Sequence, residues 1–94
     1  MWNDMDLERI IKHYGVEHQK RKASEELCEF TAEILKDVTG HGNLEHITEE
    51  MADALIMINQ LRIIYGNVHE VFDAMDSKIN RTLKRIEEDD TGPA

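Results

Sequence analysis

Proline is all but missing from this sequence. The one copy, Pro93, is the penultimate residue, so nothing upstream of it removes an amide donor or kinks a helix. Glycine is sparse, at Gly15, Gly40, Gly42, Gly66 and Gly92. None of these builds a glycine-rich phosphate loop, so a P-loop or dinucleotide-binding fold is unsupported. Cys28 is the only cysteine. It excludes an internal disulfide and gives no sign of a secreted, disulfide-built domain; it reads as a small buried hydrophobe. His13, His18, His41, His46 and His69 are scattered and show no Cys/His zinc spacing. No apolar run has membrane-spanning length, and no signal-peptide core is visible. The expected location is the cytoplasm, with no membrane partner. Positive charge is short as well: 11 Lys and Arg stand against 20 Asp and Glu, a formal net charge of −9. That disfavours nucleic acid, whose binding runs on basic side chains neutralising phosphates. It leaves room for a small anionic ligand, because a bound metal reverses the local field.

What the sequence does have is helical periodicity. Its 94 residues suffice for one domain, expected over 1–90 with a disordered tail at 91–94. Asp4 or Asp6 caps a first helix whose stripe is Leu7, Ile10, Ile11 and Tyr14, and Gly15 stops it. A second helix runs from Val16–Glu17 to Val38 with Ala23, Leu27, Phe30, Ile34 and Val38 on one buried face. Thr39–Asn43 is a loop by its glycines. Asn43 or Thr48 caps a third helix, which ends at Tyr65–Gly66. Its apolar residues Ile47, Met51, Ala54, Leu55, Ile58, Leu61 and Tyr65 are widened by Met57, Ile63 and Ile64. A helix apolar on most sides is central or shared with a second subunit. Asn67 to Glu70 resembles a capping box, opening a fourth helix through Val71, Phe72, Met75, Ile79, Leu83 and Ile86. Glu87 to Asp90 read as the start of a frayed acidic tail. The expected fold is all-α, a small four-helix bundle.

Two pairs of carboxylates, Glu26/Glu29 and Glu50/Asp53, are each spaced three apart in a helical setting. That spacing puts each pair on one helix face. Both pairs fall at the edge of their helix's apolar arc, so two packed helices turn them toward each other across a groove. Glu26 has no basic residue one turn C-terminal to it, and Glu50 has Ala54 there. These are like charges, which disfavour their own ionised forms unless a cation is present. All-oxygen ligation with a few carboxylates is the preference of Mg²⁺. The plainer alternative is a set of solvated surface charges.

The order Gln19-x-x-Lys22-x-x-Glu25-Glu26-x-x-Glu29, then Glu50-x-x-Asp53 after a spacer, resembles the MazG-like all-α nucleoside triphosphate pyrophosphatases. Lys78-Ile79-x-Arg81 is similar to that family's basic segment, and the likeness covers about Tyr14 to Ile86. The resemblance implies a bundle completed by homodimerisation, often as a homotetramer. It implies Mg²⁺, or Mn²⁺ in its place, on Glu26, Glu29, Glu50 and Asp53. It implies attack of water on the α-phosphorus of a (d)NTP, giving the monophosphate and pyrophosphate. On that reading Glu25 is the candidate base for the water, Glu26 shares the catalytic role, and Glu29 competes with Glu25 for it. Lys22, Lys78 and Arg81 are candidates to hold phosphates. Gln19 is a candidate to bond a base edge or ribose, and Trp2 and Tyr14 to stack on a base. Surface and packing roles stand beside each of these. The phosphoribosyl-ATP pyrophosphatases tend to show Asp-Leu-x-Tyr-His at the second acidic motif, where this chain has Asp53-Ala54-Leu55-Ile56-Met57, so that activity ranks lower. The dimeric dUTPases, longer and more acidic, also rank lower. A reading from another class is a non-catalytic dimeric helical module that binds a basic partner or stores metal.

Overall fold

The computed structural model describes residues 1–90. Those residues form four helices and no strand: α1 (Asp4–Tyr14), α2 (Val16–Val38), α3 (Leu44–Tyr65) and α4 (Val68–Asp90). The all-α class and the α2 and α3 boundaries follow the periodicity. The tail expected at 91–94 lies outside the described residues.

The ends of the helices are set by a few polar groups. The cap of α1 is Asn3, one residue before the expected Asp4. Asn3 Oδ1 accepts from the Asp6 N–H at 3.2 Å, and Asp6 Oδ2 accepts from the Asn3 N–H at 2.8 Å. This reciprocal pair is a capping box. Gly15, at φ +96°, breaks α1 from α2 in a conformation that side-chain-bearing residues avoid. Asn43 Oδ1 caps α3 through the His46 N–H at 3.1 Å, and Gly66 ends that helix in the left-handed region. The expected capping box at Asn67 does not form: Asn67 Oδ1 is buried without a partner. There α4 opens on the backbone alone, the Val71 N–H donating to the Asn67 carbonyl at 3.0 Å. Glu87–Asp90, expected to fray, continue α4 to Asp90.

Helices α2 and α3 form a hairpin across the Thr39–Asn43 loop, and α1 packs against both. Ala23 and Ala54, 1% and 2% exposed, occupy the seam where small side chains let the two backbones close up. Leu7, Ile11 and Met57 complete the buried apolar set. Helix α4 is different. It packs against α3 alone, with Val71 half-buried and the Arg62 guanidinium 5.2 Å from the Phe72 ring centroid. From Phe72 onward every described residue is exposed.

Several apolar positions expected inside are therefore outside. Ile34, Val38, Met51, Leu55, Ile58 and Tyr65 are exposed, as is Cys28. The seam takes a narrow strip of each helix, and Cys28 sits two residues from Glu26, off that strip.

Candidate metal centre

The strip that α2 gives to the seam is Gln19, Ala23 and Glu26, with Phe30 and Glu33 half-buried beyond. Steps of three and four keep these residues on one face. From α3 come half-buried Ile47 and Glu50, then buried Ala54, Met57 and Gln60. The acidic residues were expected at the edge of the apolar arcs. Glu26 and Glu50 instead lie in the line of contact itself, with Glu26 only 9% exposed. The apolar arc misled the rotation because much of it faces away from this hairpin.

One carboxylate oxygen from each of Glu26, Glu29 and Glu50 lies within 4.8 Å of the others. Asp53 does not join that group and is exposed. It acts on the cluster through its charge, which adds to the load on Glu50. Glu25 is also outside, exposed, beside Lys22 on the wall of a neighbouring cavity. Glu33 is a charge neighbour of Glu50 that the two three-residue spacings did not single out. Its place at the next step after Glu26 and Glu29 was the available signal.

Like charges and burial disturb Glu29 and Glu50. The Glu29 carboxyl is held above its ordinary range, first by the charge of Glu26 and then by burial. Burial pushes Glu50 up, with the charges of Asp53, Glu26 and Glu33 adding to it. Lys22 supplies a close counter-charge: its Nζ donates to Glu26 Oε1 at 3.1 Å. That pair runs from one turn N-terminal to Glu26, the direction opposite to the better helix-surface orientation. It raises the Lys22 ammonium in turn. One lysine does not satisfy the cluster. Glu26 Oε2 and Glu50 Oε2 are both buried with no hydrogen-bond partner. A buried charged oxygen without a partner is costly. A hard divalent cation held by oxygen ligands removes that cost for both atoms at once. The donor set therefore fits Mg²⁺ and, equally oxygen-preferring, Mn²⁺.

The remaining candidates are spread out. Gln19 is buried in the seam, hydrogen-bonded to Gln60, which sequence reasoning passed over as one polar residue in an apolar stripe. Trp2 is exposed and lines a separate apolar hollow with Leu7, Ile10 and Ile56. Lys78 and Arg81 are exposed on α4, which has no packing contact with α2. Within one copy they are not part of the acidic cluster.

Fold and site together define an all-α protein with a carboxylate cluster set into a helical hairpin, and no helix among the described residues is long and apolar enough to cross a membrane. Comparison with protein-family models, curated proteins and solved structures gives no match.

Proposed function

We propose that this chain is a Mg²⁺-dependent nucleoside triphosphate pyrophosphohydrolase of MazG-like type, working in the cytoplasm as a homodimer or homotetramer. The observation that carries the reading is the convergence of Glu26, Glu29 and Glu50, with two buried carboxylate oxygens left unpartnered. Those three residues hold the cation, and Asp53 strengthens the local negative field. Mg²⁺ bound there would supply charge neutralisation for the phosphates and polarisation of the phosphoryl oxygen. Lys22, paired with Glu26 at 3.1 Å, would turn its flexible stem and point charge to a phosphate oxygen if Glu26 were taken up by a cation. Glu25, solvent-facing beside Lys22, receives the proton of the attacking water. A P–O bond forms at the α-phosphorus as the bridge to the β-phosphate breaks, and pyrophosphate leaves. Lys78 and Arg81 serve the outer phosphates only where an α4 from a second copy brings them in.

Incubation with a panel of NTPs and dNTPs plus Mg²⁺ should release pyrophosphate rather than orthophosphate. Glu50→Gln should abolish turnover while circular dichroism shows the helices intact. A broad panel without hydrolysis removes the reading. The competing helical interaction module, where it stores metal, accounts for the exposed apolar faces and the buried carboxylate oxygens equally well, and release of pyrophosphate separates the two.

A further inference from the structure

The seam between α2 and α3 is not made from the most apolar strip that α3 has. Buried in it are Ala54, Met57 and Gln60, with Glu50 half-buried in line with them. One position further round α3 stand Met51, Leu55, Ile58 and Leu61, and the first three of these are 42%, 53% and 39% exposed. Successive residues lie about 100° apart around a helix, so a turn of α3 by that angle would exchange the two strips. By burial of apolar surface alone, the second strip is the better cover for α2. We propose that the hydrogen-bonded pair Gln19–Gln60 sets which face α3 turns to α2 and so positions Glu50 opposite Glu26, a step that rests on reading the carboxylate cluster as a cation site.

The pair is buried and specific. Gln60 is 1% exposed and Gln19 4%. They come from different helices, and Gln19 Nε2 donates to Gln60 Oε1 at 2.8 Å. Neighbours hold both amides in that orientation. Gln19 Oε1 accepts from His18 Nδ1 at 2.8 Å, and Gln60 Nε2 contacts Met57 Sδ at 3.7 Å. A buried amide that loses its partner is left with its full desolvation cost. Turning α3 by one residue puts Leu61 in the place of Gln60, and Gln19 then faces a side chain that cannot bond it. Sliding α3 by four residues sets Gln19 against Ile56 or Ile64, with the same result. An apolar pair would tolerate all of these arrangements. One buried polar residue fixes register between helices in coiled coils by the same logic.

The movements that break the amide pair also break the cluster. One carboxylate oxygen from each of Glu26, Glu29 and Glu50 lies within 4.8 Å of the others. A slide of one helical turn is about 5.4 Å, more than that span. A turn of one residue puts Met51 where Glu50 stands. Without a cation, repulsion between the carboxylates favours either movement. The Gln19–Gln60 bond opposes both, at the end of the hairpin away from the Thr39–Asn43 loop.

The test uses two variants and two measurements. Gln60→Leu leaves Gln19 without its partner and should melt below the parent protein. Gln19→Leu combined with Gln60→Leu removes both amides and should recover that melting temperature, yet bind Mg²⁺ more weakly. Where the facing that unites the carboxylates falls to a tenth of the molecules, the apparent dissociation constant rises about tenfold. A purely structural pair would let Mg²⁺ affinity recover together with melting. The second measurement needs no metal at the cluster. Met57 is 4% exposed, so a neutral gadolinium chelate in solution should spare its methyl group in NMR spectra of the parent protein. In the double variant Met57 takes the place of Ile56, which is 42% exposed, and the chelate should relax it. Either a spared Met57 methyl or an Mg²⁺ affinity equal to the parent's, in the double variant, overturns the proposal. A parent protein that does not respond to Mg²⁺ sinks the cation site instead, and Met57 still reports whether the amides set the facing.

Discussion

At the scale of single residues, the decisive fact is that three glutamates are closer together than their charges favour. Glu50→Gln removes one acid from the cluster and leaves an amide that can donate to Glu26 or Glu29. The metal-free variant should therefore melt higher than the parent protein. It should also lose its response to Mg²⁺. For the parent, Mg²⁺ at a hundredfold excess over its dissociation constant stabilises by about 2.7 kcal/mol, or roughly 10 °C and more in a domain of this size. A parent protein whose melting ignores Mg²⁺ would remove the metal site. The pH dependence has a fixed sign. Glu29 and Glu50 bind protons more tightly folded than unfolded, since both are raised above the ordinary 4.5. Their contribution to stability is present below that value and is lost as pH rises through the folded-state pKa values. Without metal, melting temperature should fall as pH climbs above about 4.5 and these two groups ionise. Saturating Mg²⁺ should flatten or invert that slope, because the cation needs the carboxylates ionised. The three-residue spacings Glu26/Glu29 and Glu50/Asp53 pointed to this cluster in sequence, although Asp53 is not one of the three that converge. Gln60 was not legible, because nothing in one sequence distinguishes a glutamine at a seam from one at a surface.

At the scale of helices, the same sequence was informative about lengths and poor on rotations. Asn43, Gly15 and Gly66 mark their boundaries because caps and left-handed turns are local chemistry. Asn3 was missed in favour of the adjacent aspartates, a one-residue shift that a capping box resolves only once Asp6 is seen reaching back. The facing of α2 was harder. Its apolar arc includes Ile34 and Val38, yet its seam runs through Gln19, Ala23 and Glu26. Periodicity shows that a face is apolar and is silent on which neighbour covers it. The seam itself makes a sharp test. Ala54→Leu inserts a branched side chain where Ala54 is 2% exposed. Overpacking of this kind costs about 1–3 kcal/mol. It should also pry α2 from α3 and separate Glu50 from Glu26. The expected outcome is a lower melting temperature together with weakened Mg²⁺ stabilisation, read by calorimetry with and without the metal. The control lies off the seam: Leu35→Ala, on the exposed side of α2, should leave the Mg²⁺ response intact.

At the scale of the molecule, the described chain is more extended than a compact domain. Its radius of gyration is 17.4 Å, whereas a compact domain of this length has about 12 Å. The excess comes from α4. Phe72, Met75, Ile79, Leu83 and Ile86 form a stripe at steps of three and four, each 48–53% exposed. Burying the remaining half of such a side chain contributes about 1 kcal/mol. Two copies pairing through this stripe gain about 10 kcal/mol, against an association cost of about 4–15 kcal/mol. The stripe alone roughly breaks even, so the proposed assembly would need the exposed α3 residues Met51, Leu55 and Ile58 as well. Ile79→Glu places a charge mid-stripe and should shift sedimentation toward monomer at micromolar concentration, with a fall in melting temperature. A parent protein that sediments as a stable monomer would contradict this account. Each copy also carries a net charge of −9, so association works against its own field. Exposed charges are screened within about 10 Å at 0.1 M salt and within about 3 Å at 1 M. The dissociation constant of the assembly should therefore fall as NaCl is raised, the reverse of an interface held by opposite charges. Mg²⁺ should lower it further at equal ionic strength, because it neutralises charge at the cluster rather than only screening it.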